Sequence, residues 1–541
     1  MEEECSAVSP ELCMRRGDAF IQTKSRALHL KPSKKSVARK STTDLLWLNT
    51  VVEKLWPNLR EFIKRELREK VEPDMNKNLP DILKGLKFSH MTIGTVTPKL
   101  GPIQAYSTEH NGVKLKVGFE YLSDIHFEVG YDFVKAGVKN LQIKGNATVI
   151  LEQFIGQEPL IGGVVVYFTH TPWVTSEFTG LVGALDLSIA KSALHMGIQT
   201  ALNELIVLPK YHAHALAGPE HGVDPTVIYS LPPVGVMRVK LLSGETINNH
   251  DHSWWFGDKS DPFVRFSMLG QSWDSSRKEN TLKPKWGGDK DVAYFIVHDR
   301  EQTMKIEMFD GEIVGASYVA HTEIDIGELN VNNTRFELMG GGKVEGLLDF
   351  TADFVEPQIG SDGDFEKCFV VVKIFDVALP KALGDEAGVK AELLGEAQTT
   401  PRGKRGKRQT AVPTKSLLEE QSDVGVGLAV EKRAEAALAA LAAGPALAAL
   451  QEAAPAVAGA SEQVVVVDRA MYLLVDRPGL ENQMLTLTLE ATGDNAKKEV
   501  NMSEVLAAGD RSFGGHFNFT TSAGPVDVVM RVEVWGLSAP R

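Results

Sequence analysis

Cysteine is scarce in this sequence: 541 residues carry Cys5, Cys13 and Cys368 and no others. Three scattered thiols build neither a disulfide scaffold nor a zinc site, and they fit a reducing compartment. Long apolar runs are missing as well. A membrane-spanning helix needs about 18 consecutive apolar residues. The first thirty residues hold no such run and no apolar core of a signal peptide. The best stretch elsewhere, 436–451, is sixteen uncharged residues, mostly alanine, interrupted by Gly444-Pro445. The expectation is a soluble chain whose membrane contacts are peripheral. Positive charge is also in deficit, with 58 Lys+Arg against 71 Asp+Glu and a net charge of −13. That balance argues against a protein that coats nucleic acid, which needs a cationic surface. Gly-x-Ser-x-Gly, Gly-x4-Gly-Lys-Ser/Thr and His-Glu-x-x-His are all absent, so no sequence feature proposes an enzyme.

What is present divides into stretches of distinct period, and the length predicts three or four domains. Residues 1–40 lack hydrophobic periodicity, and Arg15 to Lys40 holds nine Lys or Arg against one acid, Asp18. This reads as a disordered basic arm that is attracted to anionic lipid. Ser41-Thr42-Thr43-Asp44 supplies N-cap residues, and Leu45, Leu48, Val52, Leu55, Leu59, Phe62 and Ile63 follow at helical spacing to about Lys70. Pro73 and Pro80 bracket a second, short helix.

From Leu86 the period becomes two. Val113-Lys-Leu-Lys-Val-Gly-Phe-Glu-Tyr121 alternates, Ile125 to Phe133 reads as the next strand, and Leu141–Leu151 and Ile161–Phe168 continue the set. Long strands with one apolar side predict a twisted antiparallel sheet whose greasy face must be covered. Helical spacing returns after Asp186 through Ile189, Leu194, Ile198, Leu202 and Leu205, and Pro209 stops it.

Helix, long sheet, helix over 41–211 resembles the synaptotagmin-like, mitochondrial and lipid-binding (SMP) domain of extended synaptotagmins and their plant and algal relatives. The residues that carry the likeness are Trp47-Leu48-Asn49, Leu55-Trp56-Pro57, Phe88 with Gly94 and Pro98, Pro159-Leu-Ile-Gly-Gly163, and Leu208-Pro209-Lys210. The departure is the lack of a visible N-terminal membrane anchor, which that family carries. After a linker, 212–233, with its Pro232-Pro233 hinge, residues 234–356 resemble a C2 sandwich through Ser260-Asp-Pro-Phe-Val264, Pro284-Lys-Trp286 and Met304 to Asp310. Residues 357–541 read as a second, degenerate C2-like domain, from the strands at Cys368–Phe375, Val389–Leu394, Leu485–Leu489 and Val526–Trp535. An Ala-rich insertion at about 400–461 splits it, with fifteen alanines between Ala434 and Ala460. The fold class implied is an α+β SMP (TULIP-like) domain, a long antiparallel sheet wrapped on helices, followed by one clear and one degenerate all-β C2 sandwich.

The resemblance implies a lipid conduit. Val113, Leu115, Val117, Phe119, Phe127, Val129, Tyr131 and Phe133 are then the groove face; alternation alone equally allows a sealed core. Glycerophospholipid is the implied cargo, since each buried methylene contributes about 0.8 kcal/mol and no catalytic group is needed. Calcium is the implied cofactor, because it takes six to eight oxygens and C2 loops supply them from aspartates. The candidates are Asp251, Asp258, Asp261, Asp310 and Glu312. The set is eroded, with Trp255 and Tyr318 standing where further aspartates are expected. Trp254, Trp255 and Phe256 are candidate interface wedges, and Lys404 and Arg405 of the Arg402–Arg408 run are candidate lipid-phosphate contacts. His212, His214 and His221, and His250 and His252 around Asp251, lack zinc-site spacing and read as surface histidines.

The function implied is lipid transfer and membrane tethering at contact sites, with phospholipid membranes as partners and a homodimer formed through the SMP domain. The expected place is the cytoplasmic face of endoplasmic reticulum–plasma membrane contacts. The alternative is a calcium-responsive membrane adaptor in which the SMP unit is a dimerising scaffold.

Overall fold

One strand organises the first third of the molecule. In the computed structural model, Val134–Phe154 runs as a single strand of 21 residues, roughly 70 Å at about 3.3 Å per residue. The structure describes residues 39–41, 45–71, 87–108, 111–131, 134–179, 202–203, 205–246, 259–311, 315–329, 331–361, 363–407, 463–492 and 494–538. The expected short second helix and most of the closing helix lie outside them. Within that range the first sheet comprises β1 (Arg39–Ser41), β2 (Lys87–Thr92), β3 (Lys99–Ser107), β4 (Val113–Leu122), β5 (His126–Tyr131), β6 (Val134–Phe154), β7 (Ile161–Phe168), β8 (Trp173–Thr179) and β9 (His212–Ala215).

Its pairing does not follow sequence order. β5 does not lie beside β4. Both pair with the same edge of β6, β4 along 142–151 and β5 along 134–139, so they form one interrupted line. β7 and β8 divide the opposite edge of β6 in the same way. The break at Ser123-Asp124 is a bulge held from both sides. The Ser123 hydroxyl donates to the Leu141 carbonyl, and the Asp124 carboxylate accepts from the backbone of Thr95 at 2.7 Å and Val96 at 3.0 Å. Because the line continues through the bulge, Tyr121, Ile125 and Phe127 stay on one face. Arg39 and Lys40, expected in the arm, are already in β1 against β3.

Helix α1 (Leu46–Glu66) lies on that face. Its buried side is Leu48 and Trp56, with Ile63 and the following Leu67 packed beside them. The Asn49 amide makes a two-way bond with the Leu100 backbone, donating to its carbonyl at 3.0 Å and accepting from its N–H at 2.9 Å. Trp56 meets Tyr121 edge-on at 5.4 Å, and the Tyr121 hydroxyl donates to the Ile93 carbonyl at 2.8 Å. Arg60 donates to the Gly94 carbonyl at 2.9 Å. Gly94 itself has φ +80° and would press any Cβ into Asp124, so only glycine fits there.

The segment 212–233, expected as a plain linker, is built into the fold. It adds β9 to β7 and then forms the short helix α2 (Pro225–Tyr229), N-capped by Asp224. Two sandwiches follow, each made of two packed sheets. The first uses β10 (Gly235–Thr246), β11 (Pro262–Met268), β12 (Gln271–Asp274), β13 (Val292–Val297), β14 (Thr303–Gly311), β15 (Ala316–Asp325), β16 (Val331–Gly340) and β17 (Lys343–Ile359). β12-β11-β14-β15 faces β13-β10-β17-β16 across a core of Met237, Phe266, Phe295 and Phe350.

The second sandwich uses β18 (Lys367–Ala378), β19 (Glu386–Leu393), β20 (Glu396–Thr399), β21 (Gly403–Lys407), β22 (Gln463–Asp476), β23 (Met484–Ala491), β24 (Asp494–Asn501), β25 (Ser512–Thr521) and β26 (Gly524–Ser538). Its core of Val370, Val372, Leu487 and Phe519 is as closed as the first. The basic run at 403–407 is strand β21, paired with β19 and β22, so the interruption begins beyond Lys407 and the Ala-rich tract lies outside the described residues. β17 also pairs with β26 at Glu356–Ile359, which joins the two sandwiches edge to edge.

Candidate functional site

Alternation on β4 gives the first sheet two chemically opposite faces. The inner one carries the expected groove residues. Val113, Leu115 and Val117 are 2%, 1% and 7% exposed and pack with Leu151, Ile161, Leu100, Ile103, Phe154 and Leu216. Phe119 and Phe127 are only half-buried and sit in a separate cluster with Trp56, Tyr121, Ile125 and Ile143, under α1. Phe119 also meets Phe168 edge-on at 6.1 Å. Val129 and Tyr131 lie farther along β5, and Phe133 lies outside the described residues. The structure therefore strings the described candidates along one line but divides them between two clusters.

The outer face carries Lys114 and Lys116 together with Ile150, Val165 and Tyr167, and it is occupied by the rest of the chain. Leu208, Val223, Ile228 and Leu231 cover its apolar part. Gly163 permits this approach, because a Cβ there would stand 2.5 Å from Ile228. Asp299, from the loop after β13 of the first sandwich, reaches the sheet and is 1% exposed. Its carboxylate accepts from Lys114 Nζ at 2.6 Å, Tyr167 Oη at 3.0 Å and Thr169 Oγ1 at 3.2 Å. Burial pushes the Asp299 carboxyl up, but the Lys114 ammonium and its hydrogen bonds outweigh this and hold it below the usual carboxylate range. Lys116 pairs with Glu301 beside it.

A second buried knot ties α2 to the other sandwich. Lys373, its side chain 8% exposed, reaches Asp224 at 2.9 Å and Glu533 at 3.1 Å. Burial alone would lower the Lys373 pKa; the two carboxylates raise it above the ordinary value. The Ser230 hydroxyl accepts from the Ala470 N–H at 2.9 Å, and Tyr472 donates to the Ser230 carbonyl at 3.1 Å. Glu152, 4% exposed on the outer face, has no cation beside it among the described residues. Burial pushes its carboxyl up to about 7 against weaker help from Thr108 and the Gln153 backbone.

At the loop end of the first sandwich the structure brings Asp261 and Asp310 together and adds a residue that the sequence did not single out. Arg277 Nη2 donates to Asp261 Oδ2 and, at 2.6 Å, to the Gly311 carbonyl. Asp261 Oδ1 accepts from the Asn280 N–H at 2.6 Å, and Asp310 Oδ1 accepts from the Asp261 N–H at 2.6 Å. Asp251, Asp258 and Glu312 lie outside the described residues. Among the described residues no group of three or more His, Cys, Asp or Glu could hold a metal ion. The described donors thus do not fit an open calcium site: their oxygens are turned onto a guanidinium and two backbone N–H groups.

The basic run divides. Lys404 is exposed on β21. Arg405 corrects the expectation of a lipid contact, since its guanidinium is used internally: Nε donates to Asp385 at 2.6 Å and Nη2 to the carbonyls of Gly384 at 2.8 Å and Leu379 at 3.1 Å. Trp254, Trp255 and Phe256 lie outside the described residues, as do His250 and His252. His212 and His214 stand on the exposed side of β9. Among the described residues no helix is long and apolar enough to cross a membrane.

Known proteins match in the same order. Residues 41–216 match the family described as the synaptotagmin-like mitochondrial-lipid-binding domain, and 235–338 match the C2 domain. In the order of these two domains the chain resembles the extended synaptotagmins. Extended synaptotagmin-3 of Mus musculus is 25% identical over 289 residues, 53% of this chain and 32% of that protein. Extended synaptotagmin-1 of Homo sapiens is 26% identical over 313 residues, 56% of this chain and 28% of that protein. The chain thus spans about a third of the length of these curated relatives. A solved structure of the SMP domain and the two following C2 domains of Extended-Synaptotagmin 2 superposes with a TM-score of 0.58 at 18% identity, covering 91% of this chain and 98% of that one. At that identity the likeness speaks for the fold, including two sandwiches after the SMP sheet. The last third, expected as a degenerate C2-like domain, folds as a second two-sheet sandwich.

In the structure the quoted motif residues acquire reasons. Asn49 bolts α1 to β3, Trp56 wedges against Tyr121, Gly94 turns the chain where Arg60 binds it, and Gly163 lets α2 approach. Asp299, Lys373 and Arg277 were not found from the sequence. Each is an ordinary loop or strand charge until its distant partner is in place, 185 residues away for Lys114 and Asp299.

Proposed function

We propose that this chain carries glycerophospholipid between membranes at contact sites, using the apolar face of the SMP sheet, while the sandwiches hold it to an anionic membrane surface. The observation that carries the reading is the continuous apolar line on β4 and β5, at whose α1 end Phe119 and Phe127 remain half-buried. Acyl chains need only apolar contact, about 0.8 kcal/mol per methylene, so no side chain has to act chemically. The head group stays at the opening, and net transport runs downhill. Pairing of two copies through the SMP domain, and a place at the cytoplasmic face of endoplasmic reticulum–plasma membrane contacts, belong to this reading. Lysines such as Lys404 supply charge for anionic lipid without a metal.

The test uses the full chain. It should transfer a fluorescent phospholipid between liposomes and carry lipid in native mass spectrometry. Val117→Trp with Phe127→Trp should cut transfer at least tenfold while liposome binding persists. Transfer unaffected by both substitutions, with binding intact, sinks the conduit and leaves the membrane adaptor.

A further inference from the structure

We propose that the guanidinium of Arg277 takes the place of a bound calcium ion at the loop end of the first sandwich, so that Asp261 has its cationic partner without metal. Calcium gathers carboxylate and carbonyl oxygens from separate loops. Arg277 gathers the same kinds of atom. One nitrogen joins Asp261 Oδ2, at the start of β11, to the Gly311 carbonyl, at the end of β14. Glu279 and Asp310 add attraction for its charge.

The backbone is fitted to this arrangement. Gly311 pairs at the edge where β14 ends, and a Cβ there would stand 2.7 Å from the guanidinium carbon. A side chain at 311 would therefore evict Arg277. Asp310 is 2% exposed and turns Oδ1 to the Asp261 N–H, which orients the Ser260-Asp-Pro loop. Burial pushes the Asp261 carboxyl up, yet the Asn280 N–H and Arg277 hold it below the usual range, so it stays ionised and paired. An arginine keeps its charge at any physiological pH. Calcium arriving here would meet a fixed positive charge already hydrogen-bonded to its ligands, and the first sandwich should dock on membranes without responding to calcium through Asp261. This stands independently of lipid transfer, because its test contains no lipid.

The experiment is isothermal titration of the full chain with calcium chloride, alongside thermal unfolding with calcium or chelator. Wild type and Asp261→Asn should respond to calcium alike. Arg277→Gln should unfold at lower temperature in chelator. In calcium it should recover and gain a site with Kd of roughly 10⁻⁴–10⁻³ M, which Asp261→Asn in the same chain removes. Calcium binding by wild type that Asp261→Asn abolishes overturns the proposal. So does a folded Arg277→Gln that gains no site. If Arg277→Gln folds only with calcium, the proposal is supported. If it folds in neither condition, Arg277→Lys decides: the point charge of lysine should yield to calcium at an Asp261-dependent site, and no binding at about 10 mM calcium overturns the idea.

Discussion

The two faces of the SMP sheet are made by the same strands and differ in whether buried charge joins their apolar packing. The inner face, from Val113 to Phe127, is covered through apolar contact and the edge-on aromatic pair Trp56–Tyr121. Such contact is non-directional and tolerates exchange of one apolar occupant for another. The outer face adds directed charge to its own apolar cover: Asp299 is locked to Lys114, Tyr167 and Thr169. A buried ion pair has no substitute occupant, because losing either partner strands the other charge away from water. The sheet is thus adaptable on the side that would meet lipid and fixed on the side that meets the first sandwich.

The sharpest way to break this contrast is on the outer face. Lys114→Met leaves Asp299 buried without its cation and should cost about 3 kcal/mol or more of stability. Chemical denaturation monitored on both the sheet and the first sandwich measures it, and adding Asp299→Asn should recover most of the loss. A small effect from Lys114→Met alone would mean that the outer face is as adaptable as the inner one.

Next in size is a dependence on pH. Glu152 has a folded pKa of about 7, above its ordinary 4.5. Between those values the folded state binds more protons than the unfolded one, so stability falls as pH rises from about 4.5 through about 7. At pH 8 the penalty approaches about 3 kcal/mol, from 1.36 kcal/mol per pKa unit. Glu152→Gln should raise stability at pH 8 by most of that and leave stability at pH 4.5 little changed, as unfolding curves at the two pH values would measure. Asp468, also pushed up to about 7 by burial, contributes a slope of the same sign and should remain in the variant. Asp299 works in the other direction: its folded pKa is depressed, so its contribution is present above its ordinary carboxylate pKa and disappears as acid protonates it.

The smallest expected effect is on the inner face. Asn49→Ala removes the two bonds between α1 and the Leu100 backbone and should cost about 2 kcal/mol. Hydrogen exchange at Leu100 N–H should quicken in the variant more than exchange in the sandwiches. Exchange unchanged at Leu100 would mean that apolar packing alone fixes α1.

Much of this architecture is legible in the chain. Period-two alternation marks β4, β6 and β7, helical spacing marks α1, and the Ser260-Asp-Pro segment marks the first sandwich. The interruption between β4 and β5 has a local cause. A bulge at Ser123-Asp124 has the composition of a turn, and only the partners of those two residues, Leu141 and Thr95, decide that the line continues. Arg405 was misread for a similar reason: a cation in a basic run looks solvated until Asp385, Gly384 and Leu379 are placed around it.

The apolar face of strands such as β4 is legible locally, because the pattern repeats every two residues. The order of the units is legible too, through motifs that include positions constrained by backbone geometry, as at Gly94. Only the tertiary structure decided what covers each face and which charges are spent. Lys114 and Asp299, Lys373 and Asp224, and Arg277 and Gly311 are pairs between distant segments, and a charge declares no partner until folding removes the water that would otherwise satisfy it.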